Sequence, residues 1–173
     1  MSIVTKRGDG GSTRLGSGKL VSKDHIAIEC CGELDELGSC LGLAKSVMTN
    51  AKTRGLIESV QRDLFAICSE AAAGPGRAVR LRDRIGKSRV DAIEKSIAAV
   101  EKKCPSGERR FTTAGRNRAS GAMDLARTVA RRAERRVVTL KKKKLLKNKY
   151  IMIYLNRLSD LLYLLARCLE KEG

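Results

Sequence analysis

Apolar positions recur along most of this chain at the spacing of a helix with one buried face. Cys30, Leu34, Leu37, Leu41 and Ala44 form one such stripe and predict a helix over 26–48, on which Gly38 and Gly42 would permit a neighbour to approach closely. Leu56, Val60, Leu64, Ile67 and Ala71 predict a second helix over 51–73, ended by Gly74-Pro75-Gly76. A third is expected over 88–103, with Ser88 as its cap and Pro105-Ser106-Gly107 closing the segment. Residues 117–140 carry Ala122, Ala126, Val129, Ala133, Val137 and Leu140 on one face, and residues 147–169 carry Tyr154, Leu158, Leu161, Leu162 and Leu165. Few stretches alternate with the period of a strand. The pattern therefore predicts an all-α, five-helix bundle over 26–173, preceded by an irregular, glycine-interleaved arm over 1–25.

Charge changes this picture more than composition does. Lys and Arg outnumber Asp and Glu by 36 to 19, a net +17 that acidic neighbours cannot absorb, so the chain attracts nucleotides, polyphosphates or nucleic acid. Aromatic residues make up 3% of the chain, too few for an extended base-stacking surface. No apolar run reaches the length of a membrane span and the N-terminus has no signal-peptide core, so no membrane partner and a cytoplasmic location are expected. The six cysteines form no CxxC pair, and with His25 the only histidine a Cys/His zinc site is poorly supported. Cys30, Cys40 and Cys68 sit at apolar helical positions and read as reduced core thiols. Lys141 to Lys144 read as a solvated run.

Two segments carry chemistry. In the predicted fourth helix, Arg127, Arg131 and Glu134 fall at i, i+4 and i+7, roughly a quarter-turn from the apolar stripe. Two guanidinium groups and a carboxylate on one face would border a cleft and grip a polyanion, the alternative being a solvated basic face. The arm Thr5-Lys6-Arg7-Gly8-Asp9-Gly10-Gly11-Ser12-Thr13 supplies glycines, hydroxyls and cations, the ingredients of a phosphate loop, with Asp9 placed to help hold Mg²⁺ directly or through water. Gly18-Lys19 does not extend to a Walker A loop, because Thr13 and Leu20 stand where that motif needs Gly and Ser or Thr.

Taken together, Thr5 to Asp9, Ser22-Lys23-Asp24, Gly32 to Leu37, Ala126-Arg127-Thr128 with Arg131 to Arg135, and Tyr154 to Asp160 resemble, in order along nearly the whole chain, the ATP:cob(I)alamin (corrinoid) adenosyltransferases of the propanediol-utilisation type. The resemblance implies a helical homotrimer with sites between neighbouring subunits. It also implies transfer of the 5′-deoxyadenosyl group from ATP to the cobalt of reduced cobalamin, with Mg²⁺ present and an electron-donating reductase as partner. By position, Thr5, Lys6, Arg7, Gly8, Thr13, Arg14 and Lys23 would hold ATP, together with Arg131, Arg132, Ala133, Glu134, Arg135 and Asn156. Asp35 and Arg127 correspond to an ion pair near the corrin across a subunit boundary, and Phe111 to an aromatic that blocks the lower face of cobalt. Arg131 and Lys23 would offset charge on the departing triphosphate, with Glu134 orienting Arg131 or the nucleotide.

After Phe111, relatives usually carry an apolar run containing Pro and Gly, whereas Thr112 to Arg118 are polar and basic here. Two other readings therefore stay open. One is an ATP-binding regulator without turnover; the other is a basic helical module that binds nucleic acid through the fourth helix and the lysine run.

Overall fold

The computed structural model describes residues 4, 6–77, 81–104 and 113–171, so Thr5 and Phe111 lie outside the described residues. Five helices form the body: α1 (Ile26–Ser46), α2 (Ala51–Arg77), α3 (Lys87–Lys103), α4 (Arg118–Lys142) and α5 (Lys149–Leu169). Neighbouring helices pack in the order α2, α1, α4, α5, α3. The predicted stripes face inward. Cys30, Leu34, Leu37, Leu41 and Ala44 of α1 meet Ala126, Val129, Ala133, Val137 and Leu140 of α4 and the leucines of α5 in one buried core. Small residues along α4 let α1 and α5 lie close on either side of it.

Helix ends follow local chemistry where side chains reach the exposed amides. Asn117 and Ser120 form a reciprocal cap on α4, and the Asn117 amide also donates to Leu169 O at 2.7 Å, tying the start of α4 to the end of α5. His25, the sole histidine, caps α1 through Nδ1, which accepts from Ala27 N at 3.2 Å. Asn50 accepts from Thr53 N at 3.0 Å to start α2. Gly74 interrupts α2 with φ 72°, as the Gly-Pro-Gly sequence predicts.

Three expectations are corrected. The arm is not wholly irregular: β1 (Ser12–Arg14) and β2 (Leu20–Ser22) pair antiparallel, with Thr13 opposite Val21, around a tight turn in which Gly18 takes φ 85°. Such a short hairpin is marginal alone. It gains support where Leu15 packs on the core and Gly16 lies against the backbone of Ala72 and Ala73. Ser88 does not cap α3; Gly86 occupies the cap position without a side-chain bond. The α3 start is set from outside, because fully buried Glu70 accepts from Ile85 N at 2.9 Å, from Arg84 Nε at 3.3 Å and from the Asn148 amide at 3.0 Å. Finally, Cys40 and Cys68 are half-buried rather than core thiols, while Cys30 is buried.

A second polar bridge closes the ring of helices. Asp63 of α2 accepts from Tyr154 Oη of α5 at 2.7 Å and from Arg89 of α3 at 2.6 Å. Burial raises the Asp63 carboxyl above its ordinary range, and burial first, then the Asp63 charge, raises the Tyr154 phenol. No helix among the described residues is long and apolar enough to cross a membrane.

Candidate active site

Within α4, the arginines from Arg127 to Arg136 divide into two sets. Arg132 pairs with Glu33 and Glu36 of α1, and Arg136 with Glu29 at 3.3 Å and Glu33 at 3.9 Å. Arg127 reaches Asp124 one turn back at 3.4 Å, and buried Asp124 also binds Arg167 of α5. These three cations are neutralised within the chain. Arg131 and Arg135 are exposed, with no carboxylate partner among the described residues; the Arg135 guanidinium donates only to Arg131 O, at 3.1 Å. Arg132, expected among the nucleotide-holding residues, is instead engaged by Glu33 and Glu36 of α1, about 100° round the helix from Arg131. Ala133 between them is buried in the core.

Beside the exposed pair, Glu134 accepts from Asn156 Nδ2 of α5 at 3.4 Å, joining two residues that the sequence places twenty-two positions apart. Arg157 donates to Asn156 Oδ1 at 3.0 Å and to Glu94 of α3 at 3.0 Å. The result is a short polar line from α3 across α5 to the open face of α4. An anion placed over Arg131 and Arg135 would meet two full positive charges and the Asn156 amide.

A second site opens between α1 and α2. A cleft of about 620 Å³ is lined by Gly32, Asp35, Gly38 and Gly42 of α1 and by Gln61, Leu64, Phe65 and Cys68 of α2. A Cβ built on Gly32 or Gly38 meets nothing within 4 Å. The glycine pair expected to seat a neighbouring helix instead faces this cleft, which Gln61 spans by donating to Gly38 O at 2.8 Å. Phe65 is 70% exposed on the rim. Asp35 is also exposed there and does not pair with Arg127 within the chain. The sequence signal that would have found this cleft is the stripe Gly32, Asp35, Ser39, Gly42, small or polar at helical spacing and alongside the core stripe. Cys31 and Cys68 close the inner end. Their shared hydrogen bond raises the Cys31 thiol and lowers that of Cys68, and Cys31 Sγ lies 3.6 Å from Cys68 O.

On the arm, Lys23 lies across the Gly8 turn, its Nζ 3.1 Å from where a Gly8 Cβ would stand. Lys23 N donates to Gly11 O at 2.9 Å, which brings Gly8, Asp9 and Lys23 into one small loop. Arg14 donates to Gly18 O at 2.9 Å across the hairpin turn. Lys6, Arg7 and Asp9 are exposed, while Thr13 is half-buried in β1. Neither Arg131 nor Arg135 makes a hydrogen bond or ion pair to the described arm residues.

The sequence profile of the family described as Cobalamin adenosyltransferase matches residues 3–169. The corrinoid adenosyltransferase PduO of Citrobacter freundii is 38% identical, the alignment covering 100% of this chain and 51% of that protein. A second corrinoid adenosyltransferase of Citrobacter freundii is 35% identical, with 97% and 94% covered. The chain therefore spans about half the length of the PduO relative. Among solved structures, a variant PduO-type ATP:corrinoid adenosyltransferase from Lactobacillus reuteri, complexed with cobalamin and ATP, superposes with a TM-score of 0.87 at 29% identity, covering 98% of this chain and 94% of that one. The agreement of profile, sequence and fold over nearly the whole length shows that this chain belongs to the cobalamin adenosyltransferase family.

Proposed function

We propose that the protein transfers the 5′-deoxyadenosyl group of ATP to the cobalt of reduced cobalamin and releases triphosphate. The observation that carries this reading is the division of the arginines between Arg127 and Arg136 of α4: three are neutralised by the chain's own carboxylates, and Arg131 and Arg135 are left exposed beside Glu134 and Asn156. Like charges at i and i+4 repel by roughly a few tenths of a kcal/mol, and a bound anion would turn that repulsion into attraction. The relatives' activity and the ATP and cobalamin in the similar Lactobacillus structure support the same assignment.

In this reading the cobalt's electron pair forms the bond to C5′ as the bond from C5′ to the triphosphate oxygen breaks, and that bond's electrons leave with the triphosphate. No proton transfer is needed at the reacting carbon. The protein's contribution is placement and charge neutralisation. Arg131, Arg135 and Lys23 offset the departing charge, Asn156 and Glu134 orient the nucleotide, and Thr5, Lys6, Arg7, Gly8, Thr13 and Arg14 fold over it. Arg132 serves this site indirectly, by holding α4 against α1. Asp9 is one exposed carboxylate, and the described residues contain no cluster of three metal-ligating side chains. That donor set fits a Mg²⁺ held mainly by nucleotide phosphates, with Asp9 lending one ligand.

The α1/α2 cleft, floored by glycine and edged by Phe65, fits one face of the corrin; the family resemblance gives Phe111, outside the described residues, the role of blocking the lower side of cobalt. Among the described residues the arm makes no hydrogen bond or ion pair to Arg131 or Arg135, and Asp35 does not pair with Arg127, so a trimer with sites between copies would complete both constellations. Exposed Phe65 and Leu43 on the same two helices support such an interface. Six free thiols fit a reducing cytoplasm, where a reductase supplies the electron that generates Co(I).

The test is to mix the protein with ATP, Mg²⁺ and chemically reduced cobalamin. The expected result is the adenosylcobalamin spectrum, with one triphosphate released per product. Nucleotide binding without that spectrum would establish the regulator instead, and a salt-sensitive shift of duplex DNA without it would establish the nucleic-acid module.

A further inference from the structure

We propose that Arg157 is a positioning residue that fixes the amide of Asn156 in one orientation and so decides which edge of it the nucleotide meets. The inference rests on the reading of Asn156 as a nucleotide contact and adds a residue outside the expected ATP-holding set. An asparagine amide presents a donor at one end and an acceptor at the other, and an exposed one is free to turn. Here both neighbours constrain it. A guanidinium only donates, so only Oδ1 can face Arg157, and it does so at 3.0 Å. A carboxylate only accepts, so only Nδ2 can face Glu134, at 3.4 Å. The two constraints select the same orientation. One N–H of Nδ2 and one lone pair of Oδ1 are left for a ligand on the exposed side of α5.

Arg157 is itself held from two directions. Its Nε donates to Glu94 of α3 at 3.0 Å, and its Nη1 lies 3.8 Å from Asp160 one turn further along α5. Packed chiefly against α5, α3 is thereby connected to the ATP face through a single carboxylate. Glu94, Arg157 and Asp160 all remain substantially exposed, so their ion pairs add little to folding. Substitution of Arg157 should accordingly change nucleotide handling without unfolding the protein.

The experiment measures KM for ATP and kcat at saturating reduced cobalamin, with melting temperature as control, for Arg157→Ala, Arg157→Lys, Glu94→Gln, Asn156→Ala and the Asn156→Ala/Arg157→Ala double variant. Arg157→Ala should raise the ATP KM roughly tenfold, the effect of losing about one charge-assisted hydrogen bond. Arg157→Lys should recover part of the loss, Glu94→Gln should show a smaller rise, and the melting temperature should stay within about 2 °C of the parent. In the Asn156→Ala background, Arg157→Ala should add nothing further. An unchanged KM in Arg157→Ala, or its full effect persisting on top of Asn156→Ala, would overturn the proposal. Should Arg157→Ala lower the melting temperature strongly, the Lys and Glu94 variants decide. If Asn156→Ala alone leaves ATP handling untouched, the nucleotide reading of that face fails; if it impairs handling while Arg157→Ala does not, only the positioning role fails.

Discussion

Replacing Arg131 or its neighbour Arg132 by alanine removes the same side chain from adjacent positions of α4, yet the two losses fall on different properties. Arg131 is exposed and its guanidinium has no partner among the described residues. Its truncation should change folding stability by no more than about 0.5 kcal/mol. If it neutralises charge on the departing triphosphate, that interaction is strongest in the transition state and is worth about 3 kcal/mol, roughly a hundredfold or more in kcat. Arg132 bridges Glu33 and Glu36, and the Glu33 side chain is only 14% exposed. Without Arg132, Glu33 keeps only the distant Arg136 contact at 3.9 Å. Arg132→Ala should therefore lower the melting temperature, and the enzyme that stays folded should keep most of its kcat. Initial rates from the absorbance of adenosylcobalamin, paired with thermal melts of the same preparations, read both effects. A kcat for Arg131→Ala within threefold of the parent, or a melting temperature as low as that of Arg132→Ala, would refute the division of the arginine row.

Three further outcomes are expected. Glu70→Leu leaves the Ile85 amide and the Asn148 side chain without their buried acceptor and should cost about 3 kcal/mol in urea unfolding; a loss under about 1 kcal/mol would contradict the anchoring role. Gly38→Leu fills the α1/α2 cleft where a Cβ meets nothing, so binding titrations should show weaker cobalamin affinity with ATP affinity and melting temperature maintained, and unchanged cobalamin affinity would exclude the cleft as the corrin seat. Burial, chiefly, pushes the Cys30 thiol from 9.0 up to about 12, so the folded chain keeps a proton that the unfolded chain loses. That contribution is fully present below pH 9 and fades as pH rises towards 12, by roughly 1 kcal/mol per pH unit, and Cys30→Ala should flatten the decline in stability measured between pH 9 and 11. An identical slope in the variant would show that the thiol is not the group responsible.

Much of the bundle was legible because burial repeats along a helix: the stripes from Cys30 to Ala44 and from Tyr154 to Leu165 face the core as their spacing predicts. The Gly-Pro-Gly stop was legible for a similar local reason, since Gly74 adopts a backbone conformation that other residues resist. The hairpin of the arm was not, because three-residue strands carry too little alternation to register and are held by packing on α2. Nor was the start of α3, which depends on Glu70 reaching from another helix rather than on Ser88 next door.

At the site, the sequence by itself determined which residue types were available: a row of arginines on one helix, a glycine-bearing loop with Lys23, and the Asn156-Arg157 pair, all in an order that resembles the family. Only the tertiary structure decided their roles. Helical spacing gives the direction in which Arg131 and Arg132 leave the backbone, but whether a cation is spent on a neighbour or kept for a ligand depends on which carboxylates the packing of α1 against α4 brings within reach. Those carboxylates lie about a hundred residues away along the chain, and no local pattern encodes a distance of that kind.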